Sequence, residues 1–279
     1  MQLSPLEFTL MLSGIAVAAG FCGSLFGIGG GIVIVPVLTL LFGIDIRYAI
    51  GASVVSVIAT SSGAGAAYVR ERMANLRVAM FLELGTTSGA ITGAYLAGIL
   101  HSRWLFVIFG AMLGLSALVM LTRLKPGTRP VPPDVWADGL RLHGRYFDAA
   151  LDREVDYRVT RTRTGLFLMY LAGIISGLLG IGSGPFKVPA MDLAMGIPIK
   201  ASSATSNFMI GVTAAASSGV YFGRGDIDPF IAAPVAIGVV IGATLGSRVL
   251  GRTDNRLLRV LFVILLLTIA AQMIYRGLR

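Results

Sequence analysis

Charge is scarce in this chain. Only 13% of its 279 residues are Asp, Glu, Lys or Arg, while 55% are hydrophobic; a soluble domain carries about 25% charged residues. The shortage excludes a body solvated by water on all sides and leaves lipid as its main solvent. There is a single cysteine, Cys22, within an apolar run, so neither a disulfide framework nor a thiolate metal cluster is expected. The two histidines, His101 and His143, stand far apart without a metal-ligand spacing. No nucleophile lies at a sensible distance from a base. There is no Walker-type phosphate loop, and the glycine clusters lack the strand context and following acidic residue of a dinucleotide site. The reading is therefore a protein that is not an enzyme and uses no cofactor. The net charge of +9 points at first to nucleic acid, but the arginines fall in short loops between apolar runs, as membrane insertion predicts. A nucleic-acid partner is excluded on that ground. The N-terminal MQLSPLEF has no basic segment, so the first apolar run reads as a retained span and not as a signal peptide.

Glycine, by contrast, is plentiful, with 36 residues, and its clusters organise the chain. Residues 27–36 read GIGGGIVIVP and residues 180–189 read GIGSGPFKVP. The offset is 180 − 27 = 153, and it holds without a gap through Gly43/Gly196, Ser53/Ser206, Thr60/Thr213 and Tyr68/Tyr221. Gly85, Gly89 and Gly93 likewise meet Gly238, Gly242 and Gly246, and Arg103 meets Arg256. The chain is two copies of one unit, residues 1–122 and 165–279, joined by a charged segment, 123–164. Glycine and proline within apolar sequence break a helix, and the freed backbone groups must then be satisfied by protein, water or ligand. A break repeated in both halves is a pointer to a transporter's binding site.

Each unit offers five apolar segments: 6–26, 32–42, 49–69, 76–100 and 104–121, then 165–179, 188–195, 201–222, 227–250 and 257–275. Several approach the ~20 residues a bilayer needs; the second of each unit is too short to cross unaided and reads as half of a broken helix or a re-entrant element. The fold class is thus an all-α polytopic membrane protein of two five-segment repeats in inverted topology, with broken helices at its centre. Five crossings per unit place Arg70, Arg72, Arg77, Lys200, Arg248, Arg252, Arg256 and Arg259 on the side of the 123–164 segment, against Arg47, Arg103, Arg224, Arg276 and Arg279 opposite. The positive-inside rule then makes 123–164 cytoplasmic and both termini periplasmic. This segment holds nine Lys/Arg and six Asp/Glu and opens with a Pro-rich stretch, 125–133. Its alternating runs 140–147 and 154–161 predict a small β-hairpin, too small to bury a core alone.

The candidate anion site comprises the two breaks, Gly29, Gly30 and Gly31 with Gly182, Ser183 and Gly184. Glycine lets an anion approach the backbone closely, and helix starts present unpaired N–H groups; the competing reading is that the glycines only let crossed helices pack. Lys187 follows the second break where the first copy has Ile34. A lysine at membrane depth is a functional candidate by default, as the fixed positive charge for an anion, or else an ion-pair partner of Asp192 or Glu83. Glu83 and Asp192 are in turn candidates for proton coupling, with a structural salt bridge as the alternative. Ser53 and Ser206, with Asn207, offer hydroxyl and amide contacts for the pathway or simple interhelical hydrogen bonds; Thr60 and Thr213 read as the latter. The two glycine ladders read as packing seams.

The stretches FCGSLFGIGGGIVIVPVLTLLFGI (21–44) and ISGLLGIGSGPFKVPAMDLAMGIPIKASSATSNFMIGVTAAASSGVYF (175–222), with the repeat, resemble the sulfite exporter (TauE/SafE) family. The resemblance covers nearly all of the chain apart from 123–164. It implies a multi-spanning inner-membrane carrier, in the exporter sense, of sulfite, sulfonates or related organic anions, with no ATP-hydrolysing subunit in the chain. Ser183 departs from the glycine common in the family. The expected partners are therefore a small anionic substrate and the lipid bilayer. A homo-oligomer, the coupling ion and the direction of transport are left open by the sequence. An anion channel uses the same breaks, and a non-transporting scaffold acting through 123–164 is a third reading.

Overall fold

The computed structural model describes residues 4–26, 29–70, 73–121, 134–148, 152–249 and 255–279. The Pro-rich stretch 125–133 lies outside the described residues. Helix α1 spans Pro5–Phe26, and α2, Gly31–Pro36, runs directly into a π-helical turn, Val37–Leu41. Helices α3 (Ile46–Arg70), α4 (Leu76–Ile99) and α5 (Ser102–Leu121) complete the first unit. The connecting segment contributes α6 (Val135–Gly139) and strands β1 (Gly144–Asp148) and β2 (Arg153–Tyr157). The second unit consists of α7 (Thr162–Leu179), α8 (Gly184–Pro189) with its π-helical turn Ala190–Ala194, α9 (Ile199–Gly223), α10 (Pro229–Val249) and α11 (Asn255–Leu278).

The 153-residue offset carries over into these bounds. Adding 153 to those of α2, its π-turn and α3 gives those of α8, its π-turn and α9. The cause of the π-turns is local. Pro36 and Pro189 have no N–H to donate, so the ladder slips by one residue beyond each proline, as in the Phe42 N–H to Val37 C=O bond of 3.4 Å. Gly43 and Gly196, at φ 67° and 70°, then turn the chain in the left-handed region where side chains are disfavoured.

Packing between the units follows the same rule. Helix α4 lies on α7 and α1 on α10, while α3 packs on α9 and α5 on α11. The closest approaches run along the glycine ladders. A Cβ at Gly85 would meet the Leu166 carbonyl, and one at Gly238 the Ser13 carbonyl; 166 − 13 is again 153. Gly89 and Gly93 abut the Tyr170 and Ile174 carbonyls, and Gly242 and Gly246 abut those of Val17 and Phe21. Small residues let helix backbones come this close, which is how apolar helices hold together when lipid removes the hydrophobic incentive. Each such contact recurs with the two units exchanged.

The outer faces are apolar. Leu84 and Ile99 on α4 and Phe230 and Ile237 on α10 are 63–85% exposed, as side chains facing lipid are. Three stretches, Pro5–Ser24, Thr162–Leu179 and Pro229–Gly246, are each long and apolar enough to cross a bilayer. The body is all-α, polytopic and membrane-embedded.

The connecting segment is docked on this body. Strands β1 and β2 pair antiparallel, Tyr146 opposite Val155, and are shorter than the alternation in 140–147 and 154–161 predicts. Leu140 to Leu142 are used in closing α6, with Arg141 at φ 51°. Past Tyr157 the chain leaves the sheet, and Thr160 N–H donates to Met195 C=O at 3.1 Å. Leu142, Tyr146, Tyr157 and Val159 share a buried cluster with Val78, Leu82, Met195 and Ile197. Asp134 caps α6 through the Trp136 and Ala137 N–H groups and also accepts from the N–H of Thr162 at 2.7 Å, at the start of α7.

Candidate functional site

Between α1 and α2, and between α7 and α8, the chain passes through the two glycine clusters. Gly29 and Gly182, 153 residues apart, have φ of 75° and 76°. Gly29, Gly30, Gly31, Gly182, Ser183 and Gly184 are all buried. They converge. A Cβ on Gly29 would lie 3.5 Å from Val57 Cγ2 and 3.8 Å from Ile210 Cγ2; one on Gly182 would lie 2.7 Å from Ile210 Cγ2 and 2.9 Å from Val57 Cγ1. Val57 on α3 and Ile210 on α9 are themselves 153 residues apart. Both clusters therefore rest against one apolar pair at the α3–α9 crossing.

Two hydroxyls of α3, those of Ser53 and Ser56, lie against these glycines. Ser53 Oγ donates to Gly180 C=O at 2.7 Å, joining α3 to the end of α7, and it occupies the space that a side chain at Gly31 would need. Ser56 Oγ lies 3.5 Å from where a Cβ on Gly30 would be. Ser183 caps α8 in the left-handed conformation, φ 51°, which is costly for a residue with a side chain. The Oγ atoms of Ser56, Ser183 and Ser206 are buried and have no hydrogen-bond partner. Asn207 Nδ2 donates to Ser203 C=O within its own helix at 3.1 Å, and Asn207 C=O accepts from Ser61 Oγ at 2.6 Å.

Lys187 lies one turn into α8, its N–H donating to Ser183 C=O at 3.0 Å. Its side chain is fully buried. Nζ donates to Thr213 Oγ1 at 2.6 Å, and Thr213 Oγ1 lies 3.0 and 3.2 Å from the two carboxylate oxygens of Glu83. The direct Nζ–Oε1 separation is 3.7 Å, so the ion pair is bridged by the hydroxyl. Thr87 Oγ1 donates to Glu83 Oε2 at 2.9 Å. Of the two carboxylates weighed for Lys187, Glu83 is the partner in this arrangement; Asp192 sits half-buried in the π-turn with an interaction of its own.

The structure thus brings together the two glycine clusters with Ser53, and joins Lys187 to Glu83. Asn207 is tied to its own helix and to Ser61, and Asp192 is outside the pair. Reading the sequence missed the place of Ser56 and Thr87; Thr213, read as an interhelical hydrogen-bonding residue, makes such a bond to Glu83, but its link to Lys187 was not foreseen. For Thr213 a signal existed, since Lys187 replaces Ile34 within the repeat and a buried lysine needs a polar neighbour. Among the described residues no group of three His, Cys, Asp or Glu is gathered as a metal would require. A surface recess of ≈ 660 Å³ lies on the hairpin, lined by His143, Arg145, Tyr157 and Arg158, whereas residues 29–31 and 182–184 are buried.

Long apolar helices packed by glycine ladders, with a hydroxyl-bridged ion pair buried among them, define a polytopic membrane protein. The chain belongs to the sulfite exporter TauE/SafE family, whose model matches residues 12–273. It is similar to the probable membrane transporter protein YunE of Bacillus subtilis, 29% identical over 93% of this chain and 94% of that one. YdhB of the same organism, also a probable membrane transporter protein, is 26% identical over 84% and 85% of the two chains. The probable membrane transporter protein MJ0441 of Methanocaldococcus jannaschii is 24% identical over 91% and 92%. No solved structure matches.

Proposed function

We propose that the protein is a secondary transporter that moves a small oxyanion, sulfite or a related sulfonate or organic anion, out of the cell across the inner membrane. The anion is held where the two glycine clusters meet. One observation carries this reading: the clusters converge on Val57 and Ile210, and three buried hydroxyls, Ser56, Ser183 and Ser206, lack protein partners. A buried hydroxyl without a hydrogen bond costs roughly 1–3 kcal/mol, and such groups call for an explanation. An oxyanion is pure acceptor and suits three idle donors. Glycine leaves its backbone approachable, and the first-turn N–H groups of a helix have no acceptor within it. Lys187, one turn away, adds the charge that neutral donors lack.

The two units are inverted repeats crossing the membrane five times each, with the clusters as helix breaks near the midplane. Residues 1–122 and 165–279 form the membrane body, and 123–164 is cytoplasmic. The exchange of contacts between units on a constant 153-residue offset supports the repeat, and the loop charges support the orientation. A reporter active only in the cytoplasm is expected to work when fused near Gly127 and to fail beyond Arg279; one location for both overturns the inversion.

The functional test is counterflow in liposomes with purified protein, loaded in turn with sulfite, thiosulfate, sulfonates and carboxylates. Trans anion is expected to accelerate uptake of labelled sulfite or sulfonate. Uptake without acceleration identifies a channel, and no exchange of any anion in the panel overturns the transport reading for this class.

A further inference from the structure

We infer that Glu83, Thr213 and Lys187 form a proton-binding coupling site, in which a proton on Glu83 releases Lys187 to become the counter-ion of the transported anion. The inference rests on the transporter reading above and adds its coupling ion.

The molecule contains its own control. Shifting by 153 residues, the counterparts of Lys187, Thr213 and Glu83 are Ile34, Thr60 and Ala236. Ile34 and Thr60 are buried as Lys187 and Thr213 are. The two threonines bond their own helices alike, Thr60 to Ser56 C=O and Thr213 to Met209 C=O, both at 2.8 Å. The same packing is therefore built in one half with apolar side chains and in the other with an ion pair. Burying two charges is costly and is often no better for stability than an apolar replacement. The fold does not demand this pair, and ionisable residues at membrane depth mark ion and proton pathways.

Its geometry suits two protonation states. A threonine hydroxyl has one hydrogen and two lone pairs. With Glu83 ionised, Thr213 accepts from Lys187 and donates to the carboxylate. With Glu83 protonated, the carboxylic acid donates to Thr213, whose own hydrogen turns to Met209 C=O. Thr87 holds the other carboxylate oxygen throughout at 2.9 Å. No heavy atom has to move for every group to stay bonded. The pair is already bridged, not clamped, at 3.7 Å.

Charge then links the proton to the substrate. Glu83 and Lys187 together are neutral. A proton added to Glu83 leaves an uncompensated ammonium one turn from Ser183, and a single negative charge restores neutrality. An anion arriving alone would instead leave a buried excess of one negative charge. One proton and one anion therefore bind together, and by linkage each strengthens the other. Other described titratable groups on the elements packed here are Arg77 and Tyr95 on α4 itself, Arg163 and Tyr170 on α7, Lys200 and Tyr221 on α9, Asp192 after α8, and Tyr146 and Tyr157 in the hairpin's buried cluster. Tyr221 is bonded to Gly177 C=O and Arg163 stacks on Trp136. Among the described residues, Lys187 is the cation that faces Glu83.

The test uses the full chain in detergent, with methanesulfonate as probe because its single charge does not titrate. Affinity is measured by calorimetry at a series of pH values falling from neutral to mildly acidic. Wild type is expected to bind about tenfold more tightly per unit fall in pH, the slope for one linked proton, until Glu83 is saturated. Glu83→Gln is expected to bind with no pH slope, and Lys187→Gln to bind weakly throughout. If Glu83→Gln does not fold, the double change Glu83→Ala with Lys187→Ile installs the residues of the other half and must also abolish the slope. Infrared difference spectra should show a protonated carboxyl band growing as pH falls, absent from either Glu83 variant. A flat wild-type profile, a slope that survives in the Glu83 variants, a slope lost instead in Asp192→Asn, or no carboxyl band overturns the proposal. If neither methanesulfonate nor sulfite binds in any arm, the oxyanion reading fails, and the carboxyl band still decides whether Glu83 takes up a proton.

Discussion

Asn75 is the joint between the membrane body and the connecting segment, and changing it tests how the hairpin is held. Its Oδ1 caps α4 by accepting from Val78 N–H at 3.1 Å. Its Nδ2 donates to Leu142 C=O and to Tyr157 Oη, both at 2.9 Å, and its own N–H donates to Thr205 Oγ1 at 3.0 Å. One side chain therefore serves a helix cap and two docking bonds. Asn75→Ser keeps a capping oxygen but is too short to reach the hairpin. Two neutral hydrogen bonds at about 0.5–1.5 kcal/mol each put its cost at about 1–3 kcal/mol. Asn75→Ala loses the cap as well, a further 0.5–2 kcal/mol or so. Since about 1.4 kcal/mol is a factor of ten, hairpin opening in Asn75→Ser should rise about five- to hundredfold. Limited trypsin digestion in detergent reads it, because Arg145 and Arg153 lie in the strands and cleavage follows the open population when closing is fast. Thermal unfolding of the membrane helices should change for Asn75→Ala more than for Asn75→Ser. Unchanged hairpin cleavage in both, or equal effects of Ser and Ala on cleavage and unfolding alike, would refute this division of labour.

Ser53→Ala removes the bond to Gly180 C=O and should lower stability by about 1–3 kcal/mol, whereas Ser206→Ala removes a hydroxyl without a protein partner and should leave thermal stability nearly unchanged while weakening oxyanion binding about tenfold. Equal stability losses in a thermal melt would contradict the assignment. Gly89→Leu should force α4 from α7, because even a Cβ there collides with Tyr170 C=O and lies 2.9 Å from Ile174 N; folded yield after gel filtration should fall sharply, while Gly14→Ala, with open space around it, should yield as wild type. Asp134 supplies a pH test. Partial burial acts to raise its carboxyl, but bonds from Thr162, Ala137 and Trp136 outweigh this and hold it below the usual carboxylate range. A folded value below the unfolded one means that the contribution is full above about pH 4 and is lost as pH falls through the folded value. The stability gap between wild type and Asp134→Asn, measured by denaturant titration, should therefore narrow only in strong acid.

Much of the architecture was written in the chain. Strand and helix bounds follow local causes: Pro36 and Pro189 force the π-turns, and Gly43 and Gly196 force the turns after them. The 153-residue offset foretold which elements are equivalent, since like sequence folds into like elements. The glycine ladders could be read as seams because a four-residue spacing puts them on one helical face. Helix α6 was not legible, being a single turn with no apolar period and held by the Asp134 cap. The partner of Lys187 was not decided either. Asp192 is five residues away and Glu83 is 104, and the chain alone left the two as alternatives; the packing of α4 on α9 brings Glu83 to Thr213. Likewise, nothing in the chain order shows that Gly29 and Gly182 meet at Val57 and Ile210, or that Ser53 finds a carbonyl while Ser206 does not. Periodicity and turn chemistry act over a few residues and can be read along the chain. Which side chains face one another across helices depends on how the two units cross, and only the assembled tertiary structure determines that.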